Sequence, residues 1–356
     1  MANVYKIGCM PGDGIGAEVI ESAVAVLRAC ETKCGDFKLE FTDLPYGTAY
    51  YKQTGAYLPP DGLDTIRKFD AILFGAVGMP DVPDSVSLWG LLLAMRGPLQ
   101  QYANLRPVKC LKSIVPAVRT AKPEDIDWVL VRENSEGEYA GQGGRSHRGF
   151  DWEVATELAI FTRHGARRIL RYAFEIAQAR PRKLLTVVSK SNAQRYGMVM
   201  WDEVALEVSK EFPDVKWDKM LVDAMTVRMV HKPETLDTIV GSNLHMDILS
   251  DLAAALAASI GIAPSANIDP TRQSPSMFEP VHGSAFDIMG KGIANPFGAV
   301  WSAAMMLDFL GEAKAGKMIM DAMDSCCEIG QTTGDLGGSL NTAQVTEALI
   351  KAINGY

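Results

Sequence analysis

VYKIGCMPGDGIGAEVIESAVAVLRACE (residues 4–31) reads as a strand, a glycine-rich turn and a helix in immediate succession. VYKIGCM is a short apolar run, PGDGIG breaks it, and GAEVIESAVAVLRACE has apolar residues at helical spacing. The same alternation continues outward. FKLEFTDL (37–44), DAILFGAV (70–77), DWVLVRE (127–133) and KLLTVVS (183–189) are strand candidates. ATELAIFTRHGARRILRYAFEIAQA (155–179), YGMVMWDEVALEVSKEF (196–212), HMDILSDLAAALAASIG (245–261) and PFGAVWSAAMMLDFLG (296–311) are helix candidates, the last with Pro296 in its first turn. Strands alternating with helices predict an α/β architecture with helices on both sheet faces. The polar, glycine-rich stretch 134–149 is the candidate for a projecting hairpin or arm. Neither a repeat nor a tether-like linker is visible.

The chain has 356 residues, 47% of them hydrophobic, and a formal net charge of −8. That length allows two domains or one large α/β unit. The acidic balance argues against a general nucleic-acid or membrane-surface partner. Neither a membrane-spanning run nor a signal peptide is evident. The six cysteines show no CxxC and no zinc spacing, which predicts reduced, mostly buried thiols and a cytoplasmic location.

Asp247 and Asp251 are the sharpest chemical signal. On a helix they lie one above the other and repel unless something positive sits between them. A hard divalent cation such as Mg2+ or Mn2+ suits two carboxylates; the bland alternative is a solvated acidic edge. Arg96, Arg106 and Arg132 are candidates for gripping carboxylates, or else surface ion pairs. Lys190 follows an apolar strand and could act as a base, or be an ordinary strand-end lysine. Tyr139 could donate a proton or pack a hairpin, and Asp223 could simply cap a helix. PGDGIGA loosely matches a dinucleotide-binding G-x-G-x-x-A pattern. The acidic residue expected about 20 positions later would be Asp36, which precedes the second strand rather than ending it. A tight glycine turn explains the motif equally well. In the loop FEPVHGSAFDIMGKGIANP (278–296), Asp287 could accept from both ribose hydroxyls and repel a 2′-phosphate, favouring NAD.

Taken together, GDGIGAEV, YANLRPVK, VRENSEGEYAG, SKSNAQR, DILSDL, EPVHGSAFDIMGKGIANP and GDLGGSLNT resemble the β-decarboxylating dehydrogenases, the isopropylmalate/isocitrate dehydrogenase family, in order and along the whole chain. The resemblance implies that family's two-domain α/β/α fold rather than a Rossmann fold. Residues 1–101 plus 258–356 would form the larger domain, and 102–257 the smaller one with the arm at about 134–150. It further implies that Asp247 and Asp251 ligate the metal with Asp223 of a neighbouring subunit, in a homodimer with shared sites. Arg96, Arg106 and Arg132 would hold substrate carboxylates. Lys190, also from the neighbour, would help deprotonate the hydroxyl, and Tyr139 would protonate the enol. His282, Gly283, Ser284, Ala285, Asp287 and Asn295 would line an NAD site. Mg2+ or Mn2+ is implied, with K+ as an optional further ion.

SVSLWGLLLAMR (85–96) corresponds to the family's specificity helix. It offers no polar partner for a third carboxylate, which argues against isocitrate. Leu92 would suit an alkyl group, but Trp89 could fill that space. SLWGLLL and GQGGRSHRG are similar to the tartrate/D-malate dehydrogenase branch, although GPLQQ after Arg96 departs from its usual charged residues. The expected activity is NAD-dependent oxidative decarboxylation of D-malate to pyruvate and CO2, with tartrate also oxidised. The alternatives are 3-isopropylmalate dehydrogenase and a non-catalytic regulatory subunit.

Overall fold

A computed structural model describes residues 2–118 and 121–355. The outermost residues of the expected larger domain, 1 and 356, and residues 119–120 of the smaller one lie outside the described residues. The strands are β1 (Asn3–Gly12), β2 (Phe37–Asp43), β3 (Ala71–Ala76), β4 (Ala103–Lys109), β5 (Asp127–Glu133), β6 (Gly137–Ser146), β7 (Val154–Ile160), β8 (Leu184–Ser189), β9 (Lys216–Leu221), β10 (Thr238–Gly241), β11 (Pro264–Ile268) and β12 (Ser276–Pro280).

The chain divides into two compact units. One comprises residues 1–101, 109–124 and 254–356, the other 102–108 and 125–253. The sequence-based boundaries placed 109–124 and 254–257 in the smaller unit. The structure groups them with the larger one, where Ala117 N donates to Leu256 O at 3.0 Å and Lys112 N to Asp324 Oδ1 at 3.0 Å. These contacts join segments far apart in the chain, which local sequence does not advertise.

In the larger unit the strands run β2-β1-β3-β12-β11. β1 lies parallel to both β2 and β3, β3 parallel to β12, and β12 antiparallel to β11. Every residue of β3 is buried, as expected for a parallel strand covered on both faces. The helix Gly16–Cys34 packs on β3, and Phe297–Leu310 packs on β12 and β11. Phe297–Leu310 is apolar nearly all round because it is buried nearly all round. Pro296 stands at its N-cap, one position before the first turn predicted for it, and Phe297 N donates instead to Asn295 Oδ1 at 2.9 Å.

In the smaller unit the strands run β4-β5-β10-β8-β9, with β5, β10, β8 and β9 mutually parallel. The helices Arg163–Ala179 and Gly197–Ser209 bury Leu170, Phe174 and Trp201 against Val131 and Val187 of this sheet. The helix expected over 155–179 begins only at Arg163. Thr162 caps it, accepting from Gly165 N at 2.9 Å, a contact that contributes about 1 kcal/mol. The residues before the cap form β7, antiparallel to β6, so the predicted arm is a hairpin reaching to Ile160.

Among the described residues no helix is long and apolar enough to cross a membrane. All six cysteines are free thiols, and only Cys34 is less than fully buried.

Candidate active site

Asp247 and Asp251 lie on the helix Asn243–Leu256, directly after β10. Two arginines from neighbouring strands reach them. Arg132, at the end of β5, donates from Nε to Asn243 Oδ1 at 2.9 Å and pairs through Nη1 with Asp247 Oδ1. Arg106 of β4 stands 3.6 Å from Asp247 and 3.8 Å from Asp251, and its Nε is fixed by Asn104 Oδ1 at 2.9 Å. Tyr139 donates its hydroxyl to Asp247 Oδ2 at 3.0 Å, and the Arg132 guanidinium lies 5.3 Å from its ring centroid. Five of the residues singled out from sequence thus meet on one helix face.

The positive charge required between the two aspartates is here supplied by guanidinium groups. It does not fully balance the pair. Burial raises the Asp251 pKa above the usual carboxylate range; Arg106 and Arg132 oppose that shift, and the Asp247 charge adds to it. The Asp251 side chain is 59% exposed and Arg106 stays 3.8 Å away, which leaves its carboxylate open to a cation, and hard oxygen donors suit Mg2+ or Mn2+. Among the described residues no three His, Cys, Asp or Glu side chains gather as a metal cluster. Asp223 is engaged elsewhere: it accepts from Lys190 Nζ at 2.6 Å, and that bond holds its carboxyl below the usual range. Asp223 does not cap its helix, as its sequence position first suggested. It lies inside the first turn of Val222–His231, whose N-cap is Leu221.

Arg96 is described within the larger unit. Its Nη2 donates to Glu279 Oε1 at 2.9 Å, with both side chains sealed, and Asn267 Nδ2 donates to the same oxygen at 2.6 Å. Its Nε is buried without a partner. The carboxylate that Arg96 grips in this structure is therefore the protein's own. Sequence reasoning missed Glu279, which sits 183 positions away.

Trp89 and Leu92 lie on a π-helical turn, Leu88–Leu92, between α-helical turns Asp84–Ser87 and Leu93–Arg96. Trp89 is 43% exposed, whereas Leu92 packs partly against the core beside Leu91 and Met95.

The glycine turn 11–17 and the 278–296 loop meet. Ile15 N donates to Ser284 O at 2.9 Å, and Gly14, at φ +59°, would place a β carbon 1.9 Å from that oxygen. Asp13 fills the turn, accepting from Thr48 N and Gly78 N, both at 2.9 Å. The N–H group that a Rossmann turn would offer to a pyrophosphate is thus spent on protein, and a carboxylate sits beside it. Gly14→Ala is expected to cost about 2 kcal/mol or more, from the left-handed backbone and the clash combined. Denaturant titration checks this; a loss below about 0.5 kcal/mol would mean that turn and loop can part.

A cavity of about 600 Å³ opens beside this junction, with Ile15, Ile260, Ile288, Ile293 and Leu340 as apolar walls and His282, Asn295 and Asp335 as polar points. Its size and mostly apolar lining fit a planar cofactor moiety. His282, Ala285 and Asn295 line it. Ser284 is buried at the glycine turn with an unpartnered hydroxyl, and Gly283 and Asp287 are exposed. His282 has Nε2 sealed from solvent without a partner, and burial lowers its pKa. The Asn295 carboxamide is used at both ends, by Phe297 N and by Asp335 Oδ2 at 2.9 Å each. Asp335, which also binds Ser259 Oγ at 2.6 Å, was not singled out from sequence. Its signal was the glycine-rich GDLGGSLNT.

Comparison with known proteins shows the family. The family described as isocitrate/isopropylmalate dehydrogenase matches residues 6–352. A probable tartrate dehydrogenase/decarboxylase of Agrobacterium vitis is 63% identical over 99% of this chain and 98% of its own. The D-malate dehydrogenase [decarboxylating] of Escherichia coli K12 is 46% identical over 99% of both chains. Among solved structures, the isocitrate dehydrogenase of Methylococcus capsulatus superposes with a TM-score of 0.88 at 36% identity, covering 98% of this chain and 99% of that one. A beta-decarboxylating dehydrogenase of Thermococcus kodakarensis gives 0.77 at 39% identity, covering 99% and 96%. The chain belongs to the isocitrate/isopropylmalate dehydrogenase family of decarboxylating dehydrogenases.

Proposed function

We propose that the protein oxidises and decarboxylates a small 2-hydroxy dicarboxylic acid, D-malate to pyruvate and CO2, and also oxidises tartrate, with NAD and Mg2+ or Mn2+. The observation that carries this reading is Asp247, which meets Arg132, Arg106 and Tyr139 with Asp251 on the same helix face. A divalent cation on the two aspartates would polarise the substrate hydroxyl and later stabilise the enolate, while NAD would take the hydride.

The chain's own residues do the rest. Arg106 and Arg132 hold carboxylates, and Arg96 would do so where a substrate carboxylate displaces Glu279. Lys190, whose Nζ lies 2.6 Å from Asp223 Oδ1, takes the hydroxyl proton. Tyr139 returns a proton to the enol carbon. His282, Gly283, Ser284, Ala285, Asp287 and Asn295 serve the cofactor, which Asp287 biases toward NAD. A second copy of the chain contributes Asp223 and Lys190. The arm supports such pairing: a two-stranded ribbon is marginal alone, every residue of β7 is exposed, and Phe150 and Trp152 stack in the open. The free thiols support a reducing, cytoplasmic setting.

Steady-state kinetics with NAD and Mn2+ test the proposal, comparing D-malate, the tartrates, 3-isopropylmalate and isocitrate under identical conditions. D-malate or a tartrate should show the highest kcat/KM; a maximum at 3-isopropylmalate contradicts the substrate assignment. Trp89→Ala should raise 3-isopropylmalate relative to D-malate by about 10–200-fold, the range one apolar pocket difference spans. An unchanged ratio removes Trp89 from the pocket.

A further inference from the structure

The turn that carries Trp89 is seated on a tyrosine. Gly90, at the centre of the π turn Leu88–Leu92, would place a β carbon 2.7 Å from Cδ2 of Tyr57 and 3.4 Å from its Cγ and Cε2. Glycine is required by proximity rather than by handedness, since the φ of Gly90 is not positive. The turn lies against the Tyr57 ring, and nothing larger than hydrogen fits between them. Widened turns of this kind recur at functional sites, where a helix presents a side chain out of its regular register.

Tyr57 is itself held on two sides. It is 3% exposed, and its ring stacks on Tyr51 with centroids 4.7 Å apart and planes 11° from parallel. Its hydroxyl lies 3.0 Å from Thr48 Oγ1, which donates to Asp13 Oδ2 at 2.6 Å. Threonine has one hydroxyl proton and gives it to Asp13, so Tyr57 is the donor to Thr48. The direction of the chain Tyr57→Thr48→Asp13 is therefore fixed. Asp13 is pinned in turn by Thr48 N and Gly78 N. On the turn itself, Leu91 is fully buried in the same apolar cluster as Tyr57, Met95 and Leu99, while the neighbouring Trp89 remains 43% exposed.

We propose that Tyr57 is a positioning residue for substrate choice: through its contact with Gly90 it fixes the π turn, and thereby the place of the Trp89 indole on the C3 side of the substrate. This rests on the reading of Trp89 as substrate-facing. A ring held by a directed hydrogen-bond chain is a rigid seat. Displacing it by several tenths of an ångström moves the turn, and with it an indole that is 43% exposed.

The test compares Gly90→Ala, Tyr57→Leu and Tyr57→Phe, each alone and in a Trp89→Ala background. The readout is the kcat/KM ratio of 3-isopropylmalate to D-malate, with kcat and KM resolved. Gly90→Ala and Tyr57→Leu should change the ratio by about tenfold, mainly through KM, and Tyr57→Phe by about threefold. Without Trp89 the same substitutions should change it less than about twofold. A lowered melting temperature with an unchanged ratio, or an equal change in both backgrounds, overturns the proposal. Thr48→Val, which cuts the hydrogen-bond chain without touching the ring, replaces any variant that fails to fold; because the Tyr57 hydroxyl keeps Ser87 as a partner, its expected change is about twofold, below that of Tyr57→Phe. If the wild type oxidises none of these acids, the functional reading fails separately. Acrylamide quenching of Trp89, taken as wild type minus Trp89→Phe, then decides the positioning claim. Gly90→Ala should alter that quenching by about twofold or more, whereas unchanged quenching overturns it.

Discussion

Asp251→Asn should lower kcat/KM by about a thousandfold, equivalent to about 4 kcal/mol of transition-state stabilisation, while leaving the melting temperature nearly unchanged. The two halves of this expectation come from different features. Asp251 has a side chain 59% exposed, and its ion-pair partner Arg106 is 3.8 Å away. Such a pair contributes little to folding, and Arg106 keeps its contacts with Asn104, Ser250 and Asp247. The loss of a charged oxygen from a cation site, by contrast, is felt wherever the cation polarises a bond. Turnover within a few-fold of wild type at saturating Mn2+ would place the catalytic cation elsewhere. A regulatory subunit without catalysis would show no effect at all.

Lys190→Met should reduce kcat by about 10²–10⁴-fold, the range associated with a positioned proton acceptor. The side chain is of similar length, and Asp223, left without its partner, is 66% exposed, so the fold has little to lose. Added primary alkylamines should restore part of the activity, more at higher pH, because only the neutral amine accepts a proton. Undiminished kcat, or a loss that no amine rescues and that tracks a lowered melting temperature, would deny Lys190 the proton-accepting role.

The family and the α/β architecture were legible in the sequence because their signals are local. The first strand, the PGDGIG turn and the helix after it occupy adjacent positions and appear as β1, a glycine turn and Gly16–Cys34. The clustering of Arg106, Arg132 and Tyr139 on Asp247 was accessible only through the resemblance, since these residues come from three strands and a helix. What escaped is long-range or conformational. The exchange of helix for strand before Thr162 arose because apolar residues at 154–160 carry no packing in this chain, so their spacing was read as a helix face. Nothing local marks Glu279 as the partner of Arg96, or Tyr57 as the seat of Gly90. Asp13, which carries no signal of its own in the sequence, is the acceptor that organises the glycine turn.

In the proposed enzyme, Asp247 and Asp251 of one chain act with Asp223 of another. Mixing subunits tests it most directly. Asp223→Asn and Asp251→Asn are each expected to be inactive as pure proteins. After dissociation and reassociation in equal amounts, half the dimers should pair one of each and carry one intact site, restoring about a quarter of wild-type activity. No recovery, with mixed dimers demonstrated by mass, would contradict a site shared between two copies.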